Sequence, residues 1–170
     1  MNAPAFDQLR ALVIDDDKHM RKLLRSLLLA LGFQDVEEAT NGLSGYDELR
    51  AKKPDFVLTD LSMKPLDGIA FTRMVRTAAD SPNPYLPIIM VSGHAERSIV
   101  EDARDVGVTE FIVKPVTLQN LQSRITEIIE RPRPFVCCPA YFGPDRRRRV
   151  HAAYAGPWRR AVDRQDMKIV

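Results

Sequence analysis

The sequence predicts an α/β fold, a doubly wound sheet of five parallel strands each followed by a helix, (βα)5. Three observations carry this expectation. Short apolar runs of strand length alternate with segments of helical period. The runs are apolar enough to be buried on both faces, as parallel strands are. Acids or turn residues close them.

The elements follow in order. Arg10–Ala11–Leu12–Val13–Ile14 reads as a strand ending in Asp15–Asp16–Asp17. Lys18 to Ala30 places Met20, Leu23, Leu24, Leu27 and Leu28 at helical spacing, with Asp17 as its cap and Gly32 just beyond its end. Phe33 to Ala39 is a second strand, and Asn41–Gly42 opens a helix through Ala51. Phe56–Val57–Leu58–Thr59 leads to Asp60, and Gly68 to Ala79 is the third helix. Leu86 to Val91 forms a strand followed by Ser92–Gly93–His94, then a helix over Ala95 to Asp105. Gly107 turns the chain into Thr109 to Val113, and Thr117 caps a last helix bearing Leu118, Leu121, Ile125, Ile128 and Ile129.

Charge divides the chain. Residues 1–130 hold 15 Lys+Arg against 20 Asp+Glu, a balance of −5. Residues 131–170 hold 10 against 3, a balance of +7. Prolines at 132, 134, 139, 144 and 157 accompany the change, so the domains are expected as 8–130 and a largely irregular, arginine-rich segment over 131–170. No stretch approaches the roughly 18 apolar residues of a membrane span, and the N-terminus lacks an export signal, so a cytoplasmic protein without membrane insertion is expected. Cys137 and Cys138 are adjacent and read as reduced thiols without a redox task.

In a sheet of this kind ligands bind outside the carboxyl ends of the strands, where Asp15, Asp16 and Asp60 fall. Carboxylates so close would repel strongly without a cation, and an all-oxygen set favours magnesium or manganese over zinc. Ser92 after the fourth strand adds a hydroxyl, and Lys114 after the fifth a compact cation suited to a phosphoryl oxygen. Together they describe acceptance of a phosphoryl group on a carboxylate. Singly, each has a plainer structural use, and Asp17 is assigned to helix capping.

The runs Leu12–Val13–Ile14–Asp15–Asp16, Leu58–Thr59–Asp60, Met63 with Asp67–Gly68, Met90–Val91–Ser92 and Phe111–Ile112–Val113–Lys114–Pro115 resemble the receiver domain of two-component response regulators, particularly the chemotaxis type. The resemblance implies a flavodoxin-like fold and a regulatory phosphoacceptor rather than an enzyme. It implies Asp60 as phosphoacceptor, with Mg²⁺ held by Asp15, Asp16, Asp60 and the Ser62 main-chain carbonyl. Ser92 would meet the phosphoryl group, Lys114 would pair with it across a cis Lys114–Pro115 bond, and Phe111 would be the switch aromatic. A sensor histidine kinase is the implied donor. Lys64 after Met63, and Gly93 after Ser92, depart from the usual family pattern.

The arginine-rich segment repeats Tyr–x–Gly–Pro–x–Arg–Arg, at Tyr141 to Arg147 and at Tyr154 to Arg160. Arginine can stack on a base, bond guanine bidentately or hold phosphate, and Asp145 and Asp163 are candidate acceptors from a guanine edge. With no helix-turn-helix or zinc finger, specific DNA binding is not expected. Arg131–Pro–Arg–Pro–Phe135 and Tyr141 to Arg149 resemble the arginine-rich extension of chemotaxis-type receivers that bind cyclic di-GMP. That resemblance implies cyclic di-GMP as a ligand of Tyr141, Asp145, Arg146, Arg147, Arg148, Arg149, Trp158, Arg159, Arg160 and Asp163. It also implies control of the flagellar motor or of surface attachment through a motor switch protein, with recruitment to the motor. The competing expectation is a phosphorelay or chemotaxis receiver whose tail docks a protein or nucleic acid.

Overall fold

Four of the five α-helices begin at a residue whose side chain caps them. The computed structural model describes residues 6–146 and, as backbone, 168–169. A short turn of helix at Phe6–Gln8 leads into β1 (Arg10–Ile14), α1 (Lys18–Ala30), β2 (Asp35–Ala39), α2 (Gly42–Lys52), β3 (Phe56–Asp60), α3 (Gly68–Thr77), β4 (Ile88–Ser92), α4 (Arg97–Val106), β5 (Glu110–Val113) and α5 (Leu118–Glu130). The Asp17 carboxylate accepts from the amides of His19 and Met20, and Asp67 accepts from Ala70. Asn41 with Ser44, and Thr117 with Asn120, form reciprocal capping boxes. Gly32 and Gly107 end α1 and α4 at φ +103°, a conformation that a side chain would strain.

All five strands are parallel in the order β2-β1-β3-β4-β5. The order reverses between β1 and β3, which opens a crevice at their carboxyl ends. Alternate residues of each strand serve two cores. Ala11, Val13, Phe56, Leu58, Ile89 and Val91 pack with Leu24 and Leu28 of α1 and Leu121 and Ile125 of α5. Leu12, Ile14, Val57 and Ile88 pack with Leu49 of α2 and Phe71 and Val75 of α3. Each such buried side chain contributes roughly 1.5–3 kcal/mol before the cost of ordering it.

Several boundaries differ from expectation by one or two residues, β4 starting at Ile88 and α3 ending at Thr77 among them. β2 starts at Asp35 because Phe33 turns back into the core, stacked on Phe6 at 4.9 Å. α4 starts at Arg97 because its cap, Glu96, makes no side-chain bond that would hold an earlier turn.

The segment after Glu130, expected to be largely irregular, carries regular structure near its start. Residues 135–144 form an antiparallel hairpin, β6 (Phe135–Cys138) and β7 (Tyr141–Pro144), joined through Pro139–Ala140. β8 (Lys168–Ile169) pairs with the other edge of β6. Phe135 and Phe142 pack edge-on against Tyr85 at 5.0 and 5.3 Å. The buried Arg76 lies 5.2 Å from the centre of the Phe135 ring and donates to the carbonyls of Gly107 (3.0 and 2.9 Å) and Pro84 (2.8 Å). Burial lowers its guanidinium to about 10, which leaves it charged at neutral pH. On the same side the buried Glu110 carboxylate accepts from Arg124 of α5 at 3.1 Å and from Arg133. Part of the basic segment is therefore joined to the α/β body by apolar and ionic contacts, so residue 130 is not an edge of the packed structure.

Gly68 supports the site directly, since a Cβ there would collide with the Asp60 carbonyl oxygen. Gly68→Ala is expected to cost about 1–3 kcal/mol in urea unfolding. Phe135→Ala is expected to destabilise the whole chain by about 2–3 kcal/mol. An unchanged midpoint for Phe135→Ala would show that the hairpin contributes nothing to the fold.

Candidate functional site

The crevice beyond β1 and β3 gathers charge that an ordinary sheet end would exclude. Asp15 follows β1 and is 1% exposed; Asp60 ends β3 at 6%. Ser92, the last residue of β4, is also buried. Lys114 follows β5 and reaches across, its Nζ 2.6 Å from Asp60 Oδ1 and 3.6 Å from Asp15 Oδ2. Parallel pairing sets this convergence: β3 and β4 align Asp60 with Val91, and β4 and β5 align Ser92 with Val113.

Main-chain donors hold the acids. The Asp17 amide donates to Asp15 Oδ1 and the Ser62 amide to Asp60 Oδ2, both at 2.8 Å. The Arg21 guanidinium donates to the Asp15 carbonyl at 2.8 Å. The His94 amide donates to Ser92 Oγ at 3.0 Å, which orients the hydroxyl at the strand end. The Lys114–Pro115 bond is cis, as the resemblance implied, and so is Lys64–Pro65.

Burial raises the Asp15 carboxyl above the usual range, as do the charges of Asp60 and Asp16, against the Asp17 amide and Lys114, which lower it. Burial works against the Lys114 ammonium, but the bond to Asp60 and the charges of Asp60 and Asp15 outweigh it, and the net shift is upward. Each group thus sits in the field of the others.

Asp15 Oδ2 is buried and has no hydrogen-bond partner. An orphaned carboxylate oxygen beside a second carboxylate is the donor chemistry a hard divalent ion requires, so the residues fit Mg²⁺. Among the described residues, however, no three His, Cys, Asp or Glu side chains converge into a metal-binding group. Asp15 and Asp60 come together at Lys114. Asp16 is exposed to solvent, and its charge acts on Asp15. Phe111 is half-buried and packs on Met90, Ala103 and Val108.

At the hairpin, Tyr141 and Arg146 are together: the guanidinium carbon lies 3.9 Å from the ring centre, and the phenol donates to the Pro144 carbonyl at 2.7 Å. Asp145 is 4% exposed, and its amide donates to the Pro134 carbonyl at 2.8 Å. That main-chain bond ties the end of β7 to the residue before β6. Arg147, Arg148, Arg149, Trp158, Arg159, Arg160 and Asp163 lie outside the described residues. Sequence reasoning did not find Arg76, Glu110 and Arg133. Their partners are distant in sequence, and only an arginine late in α3 and an acid opening a buried strand marked them.

A raised carboxyl opposes folding once it is ionised. Its contribution is favourable below the ordinary carboxylate range and is lost as pH rises through the raised value. Asp15→Asn is therefore expected to stabilise the metal-free protein at pH 7, read as a higher urea midpoint. The gain should shrink to nothing below about pH 4, as urea titrations at several pH values would show.

The response regulator receiver domain family matches residues 11–126. A chemotaxis protein CheY of Pseudomonas aeruginosa is 37% identical over 123 residues, covering 72% of this chain and 98% of that protein. Chemotaxis protein CheY-3 of Vibrio cholerae is 34% identical over 131 residues, 77% of this chain and 99% of that one. In fold the chain is similar to the Borrelia burgdorferi CheX–CheY–BeF₃–Mg²⁺ complex, with a TM-score of 0.64 and 24% identity over 71% of this chain and 88% of the other. With the family matched over most of its length and the acids and lysine brought together at the strand ends, the chain belongs to the response regulator receiver domain family, a regulatory phosphoacceptor class of CheY-like signalling domains.

Proposed function

We propose that this protein is a chemotaxis-type signalling receiver that accepts a phosphoryl group on Asp60 and acts as a cyclic di-GMP effector through its arginine-rich segment. The observation that carries the first half is the 2.6 Å contact of Lys114 Nζ with Asp60 Oδ1 beside the buried Asp15. An Asp60 oxygen attacks the phosphorus of a phosphohistidine on a sensor kinase. The new O–P bond forms as the P–N bond breaks, and the imidazole nitrogen leaves with the electron pair. Lys114 moves its charge onto a phosphoryl oxygen, and the Ser92 hydroxyl, buried at the strand end, donates to another. Mg²⁺, when bound by Asp15, Asp16, Asp60 and the Ser62 carbonyl, supplies charge neutralisation on the transferring group. Phe111 is the aromatic that responds on β5. The Borrelia relative is named with BeF₃, a phosphoryl mimic, and Mg²⁺, which supports the same chemistry here.

The second half rests on the segment that the family match does not reach. The doubled Tyr–x–Gly–Pro–x–Arg–Arg pattern and a balance of +7 over residues 131–170 suit a ligand with two guanines and two phosphates. The Arg146 guanidinium carbon already lies 3.9 Å from the Tyr141 ring centre, a cation–aromatic pair of the kind on which a purine stacks. Arg147, Arg148, Arg149, Trp158, Arg159, Arg160 and Asp163 complete the proposed ligand set. The output in this reading is binding to a flagellar motor switch protein, with recruitment to the motor.

Incubation with phosphoramidate and Mg²⁺ should give one acid-stable, base-labile phosphoryl group per chain, absent in Asp60→Asn and reduced at least about tenfold in Lys114→Ala. Calorimetry at physiological salt should show saturable cyclic di-GMP binding. In the full chain, joint replacement of Arg147, Arg148 and Arg149 by Ala should weaken it at least about tenfold. Equal binding by that variant, or none by the wild type, would refute the effector reading and leave the receiver reading intact.

A further inference from the structure

The stretch from Ser92 to Lys114 leaves the phosphoacceptor crevice and returns to it. Ser92 is buried at the crevice, and Lys114 bonds Asp60. Between them the chain runs away through α4, turns at residues 105–109 and comes back along the four residues of β5. Its two ends therefore lie at the reacting carboxylate. Its far turn lies roughly 13 Å away, at about 3.3 Å per strand residue.

The β6–β7 hairpin is anchored at that far turn. Asp105, at the end of α4, pairs with Arg146 at 3.4 Å, and the Arg146 guanidinium also reaches the Asp105 carbonyl. The Gly107 carbonyl takes two bonds from Arg76, whose guanidinium lies against Phe135 of β6. A Cβ on Gly107 would meet the Phe142 carbonyl of β7 at 3.3 Å, and one on Gly143 would meet the Gly107 Cα at 3.0 Å, so the two backbones are in close approach. Glu110 opens β5, is buried, and pairs with Arg133 just before the hairpin. Every one of these contacts falls within residues 105–110.

We infer that this excursion couples the chemical state of Asp60 to the hairpin. The inference rests on the proposal that Asp60 is the phosphoacceptor, and it needs nothing of the dinucleotide reading. When Asp60 carries a phosphoryl group, Lys114 exchanges its carboxylate contact for a phosphoryl oxygen, and the Ser92 hydroxyl gains a new acceptor. Both ends of the excursion are then reset, and β5 is only four residues long and hydrogen-bonded to β4. Displacement at Lys114 reaches Glu110 through one short strand, and displacement at Ser92 reaches Asp105 through one helix. The hairpin carries Tyr141 and leads directly into Arg146, so the base of the arginine run changes position with the crevice. The coupling is reciprocal: loosening the hairpin changes the affinity of the crevice for a phosphoryl mimic by the same factor.

The test uses the full chain, BeF₃⁻ with Mg²⁺, fluorine NMR to count loaded Asp60, and amide exchange over residues 135–143. Loading is expected to change hairpin exchange at least about fivefold, the low end of ordinary coupling between sites. The double variant Arg133→Ala with Asp105→Asn should still load, keep its α/β exchange protection, and bind BeF₃⁻ with an affinity shifted by a similar factor. Loaded Asp60 with unchanged hairpin exchange overturns the coupling alone, as does an unshifted BeF₃⁻ affinity in the double variant. No Asp60-dependent fluorine signal in the wild type overturns both the coupling and the phosphoacceptor reading.

Discussion

Two acids and one ammonium share the space beyond β1, β3 and β5, and the rest of the molecule is arranged around their mutual compensation. Asp15 and Asp60 are both buried, and burial together with the charge of Asp60 opposes ionisation of Asp15. Lys114, bonded to Asp60 and within 3.6 Å of Asp15, offsets that repulsion from the last strand of the sheet. The contact spans β1, β3 and β5, so it exists only when parallel pairing across β4 is complete. A site built this way is strained toward cations and toward anything that redistributes its charge. A phosphoryl group on Asp60 does the latter, because it gives Lys114 a different oxygen to follow.

The hairpin gives that local change somewhere to go. A sheet with its reactive ends on one side leaves the opposite ends available for structure that takes no part in the chemistry. Here that side holds Arg76, a buried cation satisfied by three bonds to carbonyls and by the Phe135 ring, and Glu110, a buried acid satisfied by arginines from two segments. Buried charges of this kind are costly when a partner is removed, which makes the hairpin part of the body rather than an appendage. The relatives from Pseudomonas and Vibrio are matched over almost their whole length, yet about a quarter of this chain lies outside each match. The family match ends at residue 126, so the hairpin lies outside it.

Much of the α/β body could be read directly from the residues, because its signals are local. Asp17, Asn41, Asp67 and Thr117 act on amides two or three residues away, and apolar runs of four or five residues mark the strands. Asp60, Lys114 and Asp15 could also be placed together, since each follows a strand whose carboxyl end the topology brings to one edge. The hairpin was hidden because Phe135–Cys138 and Tyr141–Pro144 are short and punctuated by Pro139, Gly143 and Pro144, residues that ordinarily argue for a break. Its stability comes from Tyr85, Arg76 and Glu110, at separations no spacing rule detects. The bond from the Asp145 amide to the Pro134 carbonyl is equally out of reach of local spacing. Asp16, next to Asp15, faces water, because successive residues leaving a strand end face different surroundings.

The central claim is that Asp60, held by Lys114 beside Asp15, is the group that receives phosphate. The most direct measurement is to phosphorylate the full chain, reduce the acyl phosphate with borohydride, and locate the reduced residue by peptide mass spectrometry. The account requires reduction at position 60, with Asp15 and Asp16 untouched. Reduction at another acid, or none under conditions where phosphate is incorporated, would contradict it.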